Sequence, residues 1–412
     1  MTEASARALL RERDYMVFLV TRAFGVLGTV AQSVTMGWQV YDLARASHDV
    51  AESALYVGLL GLATFIPLFV LALPAGVVTD RYARKSVLIA CFAAEAACAA
   101  VLVATAVAGL LSVKVLIAIA FAFGVARAFR APAGVALGPM LVPRDLLPRA
   151  IAWSSLAFQI GTITGPALAG FVVGRWSSAH SYGVSLALYL LPVVGLNFIA
   201  RPTTPEAKTT SRLEQVREGL SYIWNNKVVF GAISLDLFAV LLGGATALLP
   251  VFARDILHVG PEGFGLLRSA PAVGAALVAL VLASRPIYKR AGTAMFTGVA
   301  IFGLATIVFG VSRSFGLSLG ALATLGGADM VSVYVRQTLI QIVTPDAMRG
   351  RVASVSFLFI GASNELGEFE SGVTARLFGP VLAAILGGVA SLFVTGLWAR
   401  LFPALRNVDR LA

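Results

Sequence analysis

Long apolar segments separated by short polar loops recur along the whole 412-residue chain. An α-helix needs about 20 mostly apolar residues to cross the hydrocarbon core of a bilayer. Twelve segments reach this length, and we number them as spans 1 to 12. They are 15–43, 53–79, 86–110, 113–138, 148–173, 180–200, 228–254, 262–283, 293–312, 316–342, 349–376 and 380–402. The pattern predicts an all-α membrane protein with twelve transmembrane helices.

The composition argues against a soluble domain. Hydrophobic residues make up 58% of the chain and charged residues only 13%, whereas a soluble domain carries about 25% charged residues. The formal net charge of +11 would on its own suit a nucleic-acid-binding protein. However, the basic residues are spread over short loops and form no single face, so we expect no nucleic-acid partner.

The distribution of Lys and Arg predicts how the chain is oriented. Most of these residues precede span 1, follow span 12 or lie in the loops after spans 2, 4, 6, 8 and 10. Loops rich in Lys and Arg remain in the cytoplasm. We therefore expect a multi-pass protein of a bacterial cytoplasmic membrane with both termini in the cytoplasm.

One long polar segment, 201–227, divides the chain nearly in half. Its first ten residues are typical of a linker, and an amphipathic helix is predicted from Ser211, which Glu214 follows at the spacing of a capping box. Leu213, Val216, Leu220 and Ile223 share one side of this helix. An apolar side of this kind favours a position along the membrane surface.

Each half of the chain then holds six spans. The segments 142–152 and 343–353 align without gaps and share Val, Asp and Ala, as a duplicated unit would. We predict two pseudo-symmetric six-helix bundles, at 1–200 and 228–412, joined by the cytoplasmic linker 201–227. Two parallel repeats of this kind form a substrate path between them in membrane transporters.

The loop between spans 2 and 3 carries Gly76, Asp80, Arg81, Arg84 and then Lys85. Glycine, three residues, aspartate-arginine, two residues and two basic residues resemble the loop signature of the major facilitator superfamily. Gly76 allows span 2 to approach a neighbouring helix, and Asp80 can accept hydrogen bonds from a helix amino terminus.

The resemblance places the start of span 11, at Arg349, beside Asp80. It implies a latch that closes the cytoplasmic side, with Arg81 and Arg84 as further gating residues. The alternative is a solvated charged loop that only sets the topology of the chain.

Span 5 contains Gly161, Gly165, Pro166 and Gly170. This sequence resembles the glycine-proline motif of the antiporter branch of the superfamily, with Ala169 in place of one paired glycine. Small residues four apart let two helices pack closely, and Pro166 bends the span. We expect this helix to take part in gating, although glycine and proline are also common in membrane helices in general.

Polar and charged side chains inside the spans are the candidates for the substrate cavity, because they are costly in hydrocarbon unless they face a cavity or a partner. The candidates are Arg22, Gln32, Gln39, Arg127, Arg130, Arg336 and Asn364. Arg127 resembles the buried arginine of the superfamily's motif in span 4, but Arg130 and Ala131 stand where that motif has Gln and Gly. The arginines either attract an anionic or phenolic substrate or neutralise nearby acids.

Acidic residues inside the spans are the candidates for proton coupling, because a buried carboxyl group can bind a proton on one side of the membrane and release it on the other. The candidates are Asp236, Asp329, Glu365, Glu368 and Glu95. Asp329 and Arg336 share a helix face, but an axial rise of about 10 Å disfavours a direct pair. Glu370 lies on the other side of span 11 from Glu368, and we expect it to make a structural contact.

Segments 128–133, 234–239 and 364–372 resemble the enterobactin-exporter-like branch of the superfamily, as do 349–352 and 401–406. The resemblance implies a secondary transporter that exports a siderophore or drug-like molecule by alternating access and proton antiport. Its partners would be a small molecule, protons and membrane lipid, and the chain would act as a monomer without cofactor or metal.

Three other functions stay open at this point. An importer or a lysolipid translocator would have the same fold, and a transport-inactive sensor would bind a ligand without moving it. An enzyme is not expected. The histidines His48, His180 and His258 fall in predicted outward loops with no spacing typical of metal ligands.

Overall fold

The computed structural model describes residues 8–204 and 212–409. Helices of the first half are α1 Arg13–Ala44, α2 Val50–Val70, α3 Ala72–Arg81, α4 Arg84–Val107, α5 Val113–Leu137, α6 Leu147–Arg175 and α7 Ser178–Gly195. Helices of the second half are α8 Arg212–Asn225, α9 Lys227–Leu242, α10 Gly260–Ser284, α11 Ala291–Val311, α12 Phe315–Val343, α13 Asp346–Phe378, α14 Pro380–Leu401 and α15 Pro403–Arg406. No β-strand occurs in these described ranges, and the all-α prediction is confirmed.

Within the described residues, 10 helical segments are long and apolar enough to cross a membrane. Helices α5 and α13 are not among them, although they coincide with predicted spans 4 and 11. Both carry charged residues that were predicted as site residues. The count of twelve spans therefore stays a prediction.

Two of the predicted spans are interrupted. Span 2 is divided into α2 and α3 at Leu71, three residues before Pro74, which has no N–H group to continue the helix. Span 7 ends as α9 at Leu242; a 3₁₀ turn, Ala245–Leu248, and a π-helical turn, Phe252–Ile256, follow. Gly243 and Gly244 lie at this break, and π-helical turns are common at functional sites.

The helices form two compact units. Unit 1 comprises Met1–Val40 and Ala63–Thr209, and unit 2 comprises Tyr41–Leu62 and Thr210–Ala412. The last residues of α1 and the first part of α2 therefore pack with the carboxy-terminal helices. The proposed bundle boundaries at 1–200 and 228–412 stay a prediction.

The glycine motif of α6 lies against α1 in unit 1. A Cβ atom on Gly161 would lie 2.6 Å from the Val26 side chain, and one on Gly165 would lie 2.9 Å from that of Val30. Pro166 is buried on the same helix. Larger side chains at the two glycines would force the helices apart, as expected for small-residue packing.

Helix α8 packs in unit 2 against the start of α13. A Cβ atom on Gly219 would lie 2.8 Å from the backbone oxygen of Arg351, and Glu218 forms a 2.5 Å salt bridge with the same arginine. Ile223 is buried among apolar residues of unit 2, whereas Leu220 is exposed. The predicted cap Ser211 and the side chain of Leu213 lie outside the described residues.

Candidate functional site

Polar residues of α1, α4 and α5 meet around Glu95 in unit 1. The carboxylate of Glu95 is fully buried and accepts a 2.7 Å hydrogen bond from Nε of Arg130. Another nitrogen of Arg130 donates to Oγ1 of Thr29 at 3.0 Å, and the guanidinium lies over the ring of Phe92. Two predicted site residues, one acid and one arginine, thus neutralise each other.

Helix α1 brings three more predicted site residues into unit 1. Gln32 is 0% exposed, and neither of its amide atoms has a hydrogen-bond partner among the described residues. Oε1 of Gln39 and Nε of Arg22 are likewise buried without such a partner. An unsatisfied buried polar group costs about 1–3 kcal/mol, so these atoms mark places where a polar ligand would be stabilised.

Arg22 differs from Arg130, which pairs with Glu95. It is half-buried in α1 and forms no salt bridge with the part of the chain that the structure describes. Arg130 is close enough to repel it electrostatically. Arg127 lies over the ring of Phe123, 5.8 Å from its centroid. Among residues 8–204, the positive charge of Arg22 therefore has no carboxylate partner.

In unit 2, Asp236 of α9 and Arg336 of α12 form an ion pair whose side chains are 5% and 2% exposed. A second carboxylate, that of Asp329 on α12, is close enough to interact electrostatically with both. Arg336 thus pairs with an acid on a neighbouring helix. Two carboxylates and one guanidinium carry a net negative charge when all three are ionised.

A second acid–arginine pair joins α10 and α13. Arg268 donates to Oε1 of Glu368 at 2.9 Å and to the backbone oxygen of Thr246 at 3.1 Å. A Cβ atom on Gly61 of α2 would lie 3.2 Å from the other carboxylate oxygen of Glu368. Arg268 was not among the predicted site residues, although an isolated arginine within an apolar span is the signal that identifies it.

The surroundings of the other polar residues of span 11 differ from those of Glu368. Glu365 is half-buried and Asn364 is exposed. Glu370 accepts a 2.6 Å hydrogen bond from Oγ1 of Thr374, one turn later on the same helix. Of the three glutamates, the structure thus shows a partner on another helix for Glu368 and a partner on its own helix for Glu370.

A third charged group lies where α1 ends, and no prediction singled it out. The hydroxyl of Tyr41 donates to the carboxylate of Asp255, and Arg45 forms a 3.3 Å salt bridge with the same carboxylate. Asp42 pairs with Arg254 beside it. The hydrogen bond to Asp255 raises the pKa of Arg45, so this arginine stays charged. We call these five residues the Asp255 cluster.

Two glycines in unit 2 hold the first part of α2 against α13. A Cβ atom on Gly58 would lie 3.1 Å from Cα of Gly372, and one on Gly372 would lie 2.9 Å from Cα of Gly58. The helices therefore touch backbone to backbone, as small residues allow. Together with the Asp255 cluster, this contact fixes residues 41–62 within unit 2.

The predicted gating residues between spans 2 and 3 differ in their exposure to solvent. Gly76 is buried in α3, Asp80 is half-buried and Arg81 is exposed. Arg84 donates a 2.8 Å hydrogen bond to the backbone oxygen of Ala136 at the end of α5. In unit 2, Arg349 donates a 2.9 Å hydrogen bond to the backbone oxygen of Gln341. The latch role of these residues stays a prediction.

The chain matches known transporters in sequence and in fold. Residues 4–412 match the family model described as transmembrane secretion effector. The chain is 28% identical to the enterobactin exporter EntS of Citrobacter koseri over 373 residues, which cover 89% of this chain and 87% of that protein. Its identity to EntS of Escherichia coli strain K12 is 27% over 373 residues, with the same coverage of 89% and 87%.

Solved structures show the fold. A D-xylose–proton symporter aligns with a TM-score of 0.72 at 12% identity, covering 96% of this chain and 99% of that chain. The nucleoside transporter NupG aligns with a TM-score of 0.71 at 13% identity, covering 94% and 100%. Because the family model covers nearly the whole chain, the protein belongs to the transmembrane secretion effector family of the major facilitator superfamily, and it is a secondary transporter that exports a small molecule.

Proposed function

We propose that this protein exports an acidic or phenolic organic molecule of the siderophore or drug-like class across the bacterial cytoplasmic membrane, in exchange for protons. It would work as a monomer in the lipid bilayer with both termini in the cytoplasm. The observation that carries the substrate class is the half-buried guanidinium of Arg22, which has no carboxylate partner among the described residues.

The charges inside the spans favour an acidic substrate. Arg130, Arg268 and Arg336 each have a carboxylate partner, whereas Arg22 has none in the part of the chain that the structure describes. A lone charge in a membrane helix is costly unless it faces a cavity, a pore or a partner. A negatively charged or phenolic substrate supplies that partner, and the exporters of enterobactin among its relatives favour a siderophore.

Gln32 extends the proposed site along α1. It lies ten residues after Arg22, which is about 15 Å along a helix axis. Its two unsatisfied amide atoms can donate to and accept from a substrate. One molecule with an acidic group near Arg22 and polar groups near Gln32 would satisfy both residues.

The proton site that we propose is the trio of Asp236, Asp329 and Arg336. One guanidinium balances one carboxylate, and a proton on the other carboxyl group makes the trio neutral. The pair of Glu368 with Arg268 is the second candidate, because protonation of Glu368 would release an arginine next to the contact between α2 and α13. A carboxyl group that is either protonated or ionised and paired with an arginine can couple proton flow to helix movement.

We propose that the Asp255 cluster and the Gly58–Gly372 contact close the external side, which positive-inside topology assigns to the loop after α1. The residues of the Asp255 cluster would have to separate from one another, and α2 from α13 at the two glycines, before substrate leaves to the outside. Asp80 and Arg349 would then close the cytoplasmic side, so that the two closures alternate.

Ligand-dependent thermal stability of the purified protein tests the substrate class. A ligand at 100 times its Kd stabilises the folded state by about 2.7 kcal/mol, and we expect this with siderophores but not with macrolides or lysolipids. Losing a hydrogen bond to a charged group costs about 1.5–3 kcal/mol, so Arg22→Gln should weaken siderophore binding about tenfold or more. The matched control Arg313→Gln removes an exposed loop charge and should bind normally. Equal binding by wild type and Arg22→Gln would overturn the proposal.

A further inference from the structure

An apolar groove of about 740 Å³ runs along the surface of unit 2 between α10, α11 and α12. Its volume lies within the roughly 300–1,000 Å³ typical of small-molecule sites. Leu277, Ile301 and Val331 contribute to its walls, and Lys289 and Arg290 lie at one end. None of these residues belongs to the sites described above.

Close packing of small residues creates the groove. A Cβ atom on Gly274 of α10 would lie 1.8 Å from the backbone oxygen of Ala323 on α12, and one on Gly298 of α11 would lie 2.9 Å from that of Ala328. The backbones form the floor, so no large side chain fills the space above it. Leu277, 59% exposed, and Ile301, 41% exposed, line the sides.

The basic end of the groove is built from two exposed residues just before α11. Neither Lys289 nor Arg290 forms a salt bridge with any residue in 8–204 or 212–409. The backbone N–H of Arg290 donates to the carboxylate of Asp409 at 3.2 Å, and its backbone is left-handed with φ of 56°. The loop is thus held in place, and its two side-chain charges have no salt-bridge partner within these described ranges.

The length of the groove matches one leaflet of a bilayer. On α11 it reaches from the loop before Ala291 to Ile301, which is about 15 Å at 1.5 Å per residue. The hydrocarbon core is about 30 Å thick, so the groove covers about half of it. Its basic end lies on the side that the distribution of Lys and Arg assigns to the cytoplasm.

We propose that this groove binds one anionic phospholipid of the cytoplasmic leaflet. An acyl chain lies along Leu277, Ile301 and Val331, and the phosphate group contacts Lys289 and Arg290. Basic pockets between membrane helices on the cytoplasmic side recognise anionic headgroups in this way. The proposal does not depend on the identity of the exported molecule.

Native mass spectrometry of the delipidated protein in mild detergent tests the site, with phosphatidylglycerol as probe and phosphatidylcholine as its uncharged counterpart. We expect one tightly bound phosphatidylglycerol per chain and weaker binding of phosphatidylcholine. Lys289→Gln/Arg290→Gln should weaken phosphatidylglycerol binding roughly 30-fold, from the effect of two basic residues near a headgroup. The matched control Arg217→Gln/Arg400→Gln removes two exposed charges from the same predicted side and should bind normally.

A second variant tests the acyl chain separately. Thr297 is exposed and lines the groove, so Thr297→Trp fills the space without changing any charge and should also abolish tight binding. Equal binding of the two lipids, normal binding by the charge variant or by Thr297→Trp, or an equal loss in the control would overturn the proposal. So would competition by glycerol phosphate, which indicates a site for a free anion, or a dimer that forms in place of the lipid complex.

Discussion

Asp236→Asn removes the negative charge from the buried ion pair with Arg336, whose side chains are 5% and 2% exposed. Removing one partner of a buried pair costs about 3–5 kcal/mol, because the remaining charge is dehydrated and uncompensated. Asp329 interacts with Arg336 and compensates part of this charge. We therefore expect a loss near the lower end of that range, about 3 kcal/mol.

Asp329→Asn is the matched control, because it also converts an aspartate of this trio into an amide. It removes the second carboxylate from a group with one guanidinium and relieves its repulsion with Asp236. We expect little loss of stability. Replacing both members of a buried pair by apolar residues is often neutral, so Asp236→Leu/Arg336→Met should recover most of the loss when it is made in the Asp329→Asn background, which leaves no third charge behind.

Unfolding in detergent, followed by tryptophan fluorescence against denaturant concentration, measures these differences. The coupling between Asp236 and Arg336, obtained in that background from Asp236→Leu, Arg336→Met and their double variant, should be about 3 kcal/mol. Equal losses of stability in Asp236→Asn and Asp329→Asn, or a double variant that loses the sum of the two single losses, would show that Asp236 and Arg336 do not stabilise the fold as a pair.

Three further predictions concern the gates. Asp255→Asn should lower the free energy of unfolding by at most about 1 kcal/mol, since Asp255 and Arg45 are partly exposed. It should nevertheless speed maleimide labelling of a Gln39→Cys reporter in a background without Cys91 and Cys98. An unchanged labelling rate would count against an external gate. Gly372→Ala should destabilise the protein by about 1–3 kcal/mol through overpacking. The control Gly361→Ala on the same helix adds a methyl group that meets open space, so it should leave stability unchanged. Thermal unfolding distinguishes the two variants, and equal effects would contradict the contact between Gly58 and Gly372. Asp80→Asn should slow transport in proteoliposomes with substrate affinity nearly unchanged, and a large loss of affinity would argue against the latch.

The helices could be predicted from the sequence because hydropathy alone defines a membrane span. Predicted span 10, at 316–342, coincides with Phe315–Val343 to within one residue at each end. The break in span 7 was not predicted, although Gly243, Gly244 and Pro250 are its signals. Whether these residues interrupt a helix depends on whether neighbouring helices form hydrogen bonds with the backbone groups that the break exposes. The sequence does not show this.

The members of the site could be named from the sequence, but their partners could not. A charge inside an apolar span identifies Asp236 and Arg336 separately, and 100 residues separate them. Which acid meets which arginine depends on the rotation and tilt of each helix, and packing between helices sets both. The sequence likewise could not show that Arg130 and Arg336 pair with acids whereas Arg22 has no carboxylate partner among the described residues.

The most direct test of the account is substrate-driven proton movement in proteoliposomes. In liposomes with an imposed pH gradient and a pH-sensitive dye inside, the protein should move a siderophore against its concentration gradient while protons move in the opposite direction. Asp329→Asn should abolish this coupling without preventing siderophore binding, whereas the control Glu370→Gln, which alters a residue bonded within its own helix, should retain it. Siderophore transport that is independent of the pH gradient, or full coupling in Asp329→Asn, would contradict the account.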